Sequence, residues 1–116
     1  MSHADLLIRQ QCEELISYAY EALRQFPKFE RHVFCAEIRA TLWQMLRLII
    51  VCNKRYHKKT TLKDLDAELD VLRSQVRMAH RFGYISTRRY EEWSRRNDEV
   101  CRMIGGWIKS QQDVQG

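Results

Sequence analysis

The residues of this chain that could hold a metal or move a proton are four histidines, four cysteines and a scatter of carboxylates. His3, His32, His57 and His80 never stand three or four apart, so neither an HExxH pair nor a Glu-xx-His di-metal motif occurs. Cys12, Cys35, Cys52 and Cys101 form no CxxC pair. Each falls in or beside an apolar helical stripe, where a free thiol packs as a small hydrophobe. Glu13-Glu14 and Glu91-Glu92 are adjacent pairs, whose side chains point to different faces and read as solvated charges. Ser17 and Ser94 lack a GxSxG context, and there is no glycine-rich phosphate loop. The expectation is a protein with no catalytic residue, no metal and no cofactor, which works by binding.

The chemistry that is present is cationic. Net charge is +5 and unevenly spread: residues 1–30 carry −2, 31–59 carry +6, 60–72 carry −3, 73–89 carry +5 and 90–116 carry −1. Arg73, Arg77 and Arg81 stand at i, i+4 and i+8 with His80 beside them, and Arg88 and Arg89 follow. No acid interrupts residues 73–89. One reading is a solvated face with favourable cations at a helix C-terminus. The other is a surface for phosphates or for an acidic protein patch, where arginine's planar fork grips two oxygens. Lys54, Arg55, Lys58 and Lys59, with His57, form a second cluster, also where a helix should end. Aromatic platforms at regular spacing are not visible, so contact to nucleic acid would be mainly to its backbone.

Four amphipathic segments must position these groups. In the first, Ile8, Cys12, Leu15, Ile16, Ala19, Leu23 and Phe26 recur at helical steps until Pro27. The second is expected from about Phe29 to Tyr56, with the stripe Phe34, Ile38, Leu42, Met45, Ile49, Cys52 and Tyr56. From Leu42 to Cys52 only Gln44 and Arg47 are polar, and Trp43, Leu46, Leu48, Ile50 and Val51 widen the apolar surface. A helix apolar nearly all round is buried nearly all round. A bundle of this size covers one face, so Trp43 and Ile50 are expected to meet another copy of the chain. The third stripe, Leu62, Leu65, Leu69, Leu72, Val76 and Ala79, has a coiled-coil-like rhythm, with Thr61 as its expected cap. Gly83 suits the position after that helix, and Ser86 or Thr87 caps the fourth. The fourth stripe is Tyr90, Trp93, Asn97, Val100, Ile104 and Trp107. Asn97 is either partly exposed or locally bonded, or a buried residue that sets register. Gly105-Gly106 beside Trp107 marks either close approach of a neighbouring helix or a helix already ending, since each interior glycine costs about 1 kcal/mol.

Short connections favour an all-α, antiparallel, up-down-up-down four-helix bundle over residues 1–110, followed by a frayed tail at 111–116. One proline, 45% apolar and 30% charged residues fit a globular helical domain and exclude disorder. No apolar run is long enough to span a bilayer. The start, Met1 to Asp5, lacks the features of a signal peptide, so a cytoplasmic protein without membrane contact is expected.

The run Met78-Ala79-His80-Arg81-Phe82-Gly83-Tyr84-Ile85-Ser86, then Tyr90, then Asp98 to Trp107 with its Arg102-Met103-Ile104-Gly105-Gly106-Trp107, resembles the accessory variability determinant (Avd) proteins of diversity-generating retroelements. Phe26-Pro27-Lys28-Phe29-Glu30-Arg31 is similar to that family's first turn. The resemblance implies a four-helix protomer assembling into a basic homopentameric barrel. It implies an accessory that binds the element's reverse transcriptase and its RNA or DNA, and supports mutagenic cDNA synthesis and retrohoming. Cys101 stands where the family pattern has glycine, and Asn97 where it has an apolar residue. A sister family, encoded in intervening sequences of 23S ribosomal RNA genes, shares the bundle and the pentamer. It implies the alternative of a structural oligomeric scaffold with no specific nucleic-acid role.

Overall fold

The computed structural model describes residues 3–115, with side chains to 112. Part of the start read as lacking a signal peptide, and the last residue of the expected tail, lie outside the described residues. Four α-helices make up the fold: α1 (His3–Leu23), α2 (Phe34–Lys54), α3 (Lys59–Arg81) and α4 (Thr87–Gln115). Each packs against its two neighbours in a ring, α1 on α2 and α4, and α3 on α2 and α4. Rings at the α1–α2 and α3–α4 turns touch at one end of the rod, Phe34 on Phe82 and Phe26 on Tyr84. The start of α1, the α2–α3 turn and the last turns of α4 line one groove at the other end. That placement is the up-down-up-down order which the short connections predict.

The stripes are buried as their spacing dictates. Ile8, Cys12, Leu15, Ile38, Leu42, Met45, Ile49, Leu65, Leu69, Leu72, Trp93 and Ile104 form one continuous core. The seams on α2 and α3 alternate steps of three and four, so each keeps facing the bundle axis over the helix length. Burying a large aliphatic side chain contributes about 1.5–3 kcal/mol, which makes these stripes the main stabilising feature.

Two caps follow from local chemistry. Gly83 has φ +77°, and the amides of Gly83 and Tyr84 donate to the carbonyls of His80 and Ala79 at 2.9 Å each. This is a Schellman turn, and only glycine enters its left-handed position without strain. Between the two capping candidates for α4, Ser86 takes the role, its hydroxyl accepting from the Arg89 amide at 3.1 Å.

Other boundaries differ from expectation. α1 stops at Leu23, and three tight turns with i→i−3 bonds carry the chain to Phe26 before Pro27. α2 begins at Phe34, because Lys28–Glu30 forms a separate 3₁₀ turn, and it ends at Lys54. Tyr56, expected on the α2 stripe, therefore lies outside the helix and is 90% exposed. Thr61 does not cap α3, which starts earlier at Lys59; its buried hydroxyl instead accepts from Arg55 at 2.9 Å. α4 continues past Lys109 to Gln115.

Candidate functional site

At the α2–α3 end, the structure explains half of the predicted cation cluster by local bonding. Lys58 donates from Nζ to the carbonyl of Cys52 at 2.6 Å and also to that of Arg55. Both carbonyls lie at the end of α2, and that of Cys52 also accepts the Arg55 amide at 3.3 Å. Arg55 is committed to Thr61. Lys54 and Lys59 remain exposed on either side of the turn. Helix termination thus accounts for Lys58 and a side-chain bond across the turn for Arg55, and the cluster is less of a binding surface than its composition suggests.

The arginine stripe of α3 divides in the same way. Arg73 lies half-buried between α3 and α4 and pairs with Asp98 at 2.8 Å. Burial opposes its charge, but Cys101 and Asp98 outweigh that and hold its guanidinium above the ordinary value. The stripe is therefore neutralised at its first position by an acid from another helix, contrary to the reading from local sequence. Arg77 is exposed and donates to Ser74 at 2.9 Å. His80 stacks on Tyr90, ring centroids 4.5 Å apart and planes 9° from parallel, and bonds Thr87 at 3.1 Å. Arg89 lies 5.2 Å from the centre of the Tyr18 ring, which fixes it over α1. Arg81 and Arg88 are exposed, and among the described residues no carboxylate pairs with either.

Around Arg81 the structure assembles what the sequence keeps apart. Phe26, Phe29, Phe34, Phe82 and Tyr84 form one aromatic cluster across the α1–α2 and α3–α4 turns, with neighbouring centroids 5.4–6.3 Å apart. Phe26 is buried beneath it, while Phe29 and Phe82 are 73% and 53% exposed. The Tyr84 hydroxyl donates to Glu30 at 2.8 Å, which occupies the one acid at this end and holds the phenol above its ordinary value. Residues 24–34 and 80–89 contain Arg24, Lys28, Arg31, Arg81, Arg88 and Arg89 against Glu30 alone. Their net charge is +5, against +4 for residues 54–59 at the opposite end, and the rest of the chain carries −4. Phe29 and Phe82 escape a search for regular spacing because they sit in two turns far apart in sequence. The available signal is the interleaving of rings and cations in Lys28-Phe29-Glu30-Arg31 and Arg81-Phe82-Gly83-Tyr84.

Among the predicted packing residues, Trp107 is buried. Trp43 is 41% exposed and donates its indole N–H to the Tyr20 oxygen at 2.9 Å, their rings meeting edge to face. Ile50 is half-buried. Ala36, Ala40, Trp43, Arg47 and Ile50 recur at steps of four and three, a second seam pointing away from the core stripe of α2. Gly105 and Gly106 lie inside α4 and are exposed, and a Cβ on either would meet nothing within 4 Å. Neither expected explanation holds within the protomer, for the helix neither ends there nor meets a close neighbour. Asn97 is buried, and its Oδ1 has no hydrogen-bond partner; the same is true of Trp93 Nε1 one turn earlier.

The cysteines are all free. Burial pushes the Cys12 thiol up to about 12 and the Cys52 thiol up to about 11, which leaves both unreactive at neutral pH. Among the described residues no three His, Cys, Asp or Glu side chains come together as a metal site, and no helix is long and apolar enough to cross a membrane.

A family model described as bAvd-like matches residues 6–111, nearly the entire bundle. No curated protein matches the chain. The chain belongs to the bAvd-like family, as the resemblance of its turns and its terminal Gly-Gly-Trp implies.

Proposed function

We propose that this bAvd-like protein is a non-catalytic accessory of a diversity-generating retroelement, acting in the cytoplasm. In this reading it binds the element's reverse transcriptase and its template RNA or cDNA through a basic surface, and so supports mutagenic cDNA synthesis and retrohoming. The observation that carries the reading is the set of exposed cations without carboxylate partners at the α1–α2 and α3–α4 end, Arg81 and Arg88 above all, beside a single acid that is bonded to Tyr84. A field of one sign over a small area attracts a polyanion, whereas the same charge dispersed would not. Family membership supplies the retroelement context.

Self-assembly, with five copies, is part of the same proposal. It is supported by the outward seam of α2 at Ala36, Ala40, Trp43 and Ile50, and by the open helical face at Gly105 and Gly106. Copies arranged around an axis would bring several basic ends to one rim and raise apparent affinity without new contacts. The alternative, a scaffold of the intervening-sequence type, leaves the exposed rings and unpaired cations at this end without a role.

Light scattering tests assembly, with a mass several times the 14.0 kDa of the chain expected and a clean monomer against it. Binding is tested with Arg77, Arg81 and Arg88 changed together to Ala, measured separately against RNA and against the reverse transcriptase. Arg73 is left intact because Asp98 already neutralises it. Unchanged affinity for both partners would reduce the basic end to a solvated face. Loss of one partner alone names the ligand of these arginines.

A further inference from the structure

The aromatic cluster has features that the fold does not require. Phe26 and Phe34 close the core under the two turns, yet Phe29 and Phe82 stand largely in solvent at the same place. Exposing a phenylalanine forfeits about 1.5–3 kcal/mol of burial, so two of them, each in contact with Tyr84, form an informative patch. Both are held by neighbours: Phe29 meets Tyr84 edge to face at 6.3 Å, and Phe82 meets Phe34 at 6.2 Å and Tyr84 at 5.5 Å. The rings are therefore ordered in advance, which lowers the entropy cost of placing a ligand on them.

The surroundings select the ligand. Lys28, Arg31 and Arg81 are exposed beside the rings, and Glu30 is bonded to Tyr84. A second copy docking here end to end would set +5 against +5, which disfavours self-contact. Among the described residues Val33 is the only large aliphatic side chain exposed nearby, so the patch offers rings and cations rather than an aliphatic groove. Rings that stack flat bases, flanked by cations that follow phosphates, are the recognition chemistry of single-stranded nucleic acid. Duplex hides its base faces and can use only the cations.

We infer that Phe29 and Phe82 form a base-stacking platform for single-stranded RNA or DNA, with Lys28, Arg31 and Arg81 holding its phosphates. The inference rests on the proposed function and narrows it, from a basic surface to a platform that distinguishes single strands from duplex.

The test is fluorescence anisotropy with a short unstructured RNA, single-stranded and annealed to its complement, over a salt series. Changing Phe29 and Phe82 together to Ala should weaken single-strand binding by about tenfold per ring and leave duplex binding and the salt slope unchanged. Changing Arg31 and Arg81 to Ala should weaken both forms and reduce the single-strand salt slope by about 0.7 per lost phosphate contact. Because Phe29 and Phe82 pack on their neighbours, Phe→Leu and Phe→Trp pairs accompany the Ala pair. Leu keeps the apolar volume but loses the π face, so it should bind as poorly as Ala, while Trp should restore or exceed the original affinity. A folded Ala variant with unchanged single-strand affinity overturns the platform, as does a Leu pair that binds like the original protein. Retained RNA binding with lost reverse-transcriptase capture also overturns it, by making the patch a protein dock. If the unaltered protein binds neither form of RNA, the broader functional reading fails instead.

Discussion

At the α2–α3 end of the bundle, Arg55 is bonded to Thr61, and Lys58 closes the carbonyls of Cys52 and Arg55. At the α1–α2 and α3–α4 end, Arg81, Arg88 and Lys28 project into solvent beside exposed rings, and the local acid is engaged by tyrosine. Both ends are rich in cations in the sequence. They differ in what those cations are bonded to: at the first, Lys58 bonds the last carbonyls of α2 and Arg55 a threonine across the turn; at the second, a Schellman turn and a serine cap close the helices without them. A cluster of positive charge at a helix end is thus evidence for a binding surface only after the helix's own carbonyls are accounted for.

Charge reversal should break this comparison most visibly. Arg81→Glu with Arg88→Glu replaces two free cations and is expected to weaken RNA binding by about a hundredfold or more at low salt. Lys54→Glu with Lys59→Glu makes the same change at the opposite end and should cost only a few-fold. Equal losses at the two ends, read by anisotropy, would mean that net charge alone governs binding.

Stability should separate the ends in the opposite sense. Gly105→Ala with Gly106→Ala, near the α2–α3 end, meets no steric obstacle and should favour the helical protomer by about 1 kcal/mol per site. If this face is a subunit contact, the same change lowers the assembled mass in light scattering. A thermally stabilised variant with unaltered assembly would remove these glycines from the interface. Lys58→Ala should cost about 1 kcal/mol, after discounting for partial exposure, through its two carbonyl bonds. Arg81→Ala and Arg88→Ala should stay within about 0.5 kcal/mol, as changes of unpartnered surface residues do. Urea titration of the three variants checks this ordering.

The smallest expected effect lies between the ends, on α4. Hydrogen bonds and charge from Arg95 and Arg96 hold the Glu92 carboxyl down to about 2. A depressed carboxyl contributes stability above its unfolded value and loses it as pH falls toward the folded one. The melting-temperature advantage of the protein over Glu92→Gln should therefore shrink between about pH 4.5 and about pH 2. The carboxyl is exposed, so the advantage is slight, and a constant difference across that window would show that the pairing contributes nothing.

The helices, their core faces and the Gly83 turn were legible because each is written in consecutive local spacing. Leu62 to Ala79 can face only one way once the steps of three and four are seen. The pairing of Arg73 was not legible because its acid, Asp98, arrives from the next helix. Thr61 was misread because a capping pattern carries no information about where the preceding helix ends, and Lys59 already begins α3. The rings of Phe29 and Phe82 come together only when two turns meet. Local periodicity fixes faces, and contacts between turns lie beyond its reach. The candidate site is made mostly of such contacts, and so was less visible than the fold.

The central claim is that one end of the bundle receives nucleic acid. Ultraviolet crosslinking of bound single-stranded RNA, followed by peptide mass spectrometry, tests it most directly. Tyr56, 90% exposed at the other end beside His57, is a built-in control because it is at least as accessible as Phe29 or Phe82. The account predicts crosslinks at Phe29, Phe82 and their flanking turns, and none at Tyr56. Crosslinks centred on Tyr56 and the α2–α3 turn, or spread evenly over both ends, would contradict it.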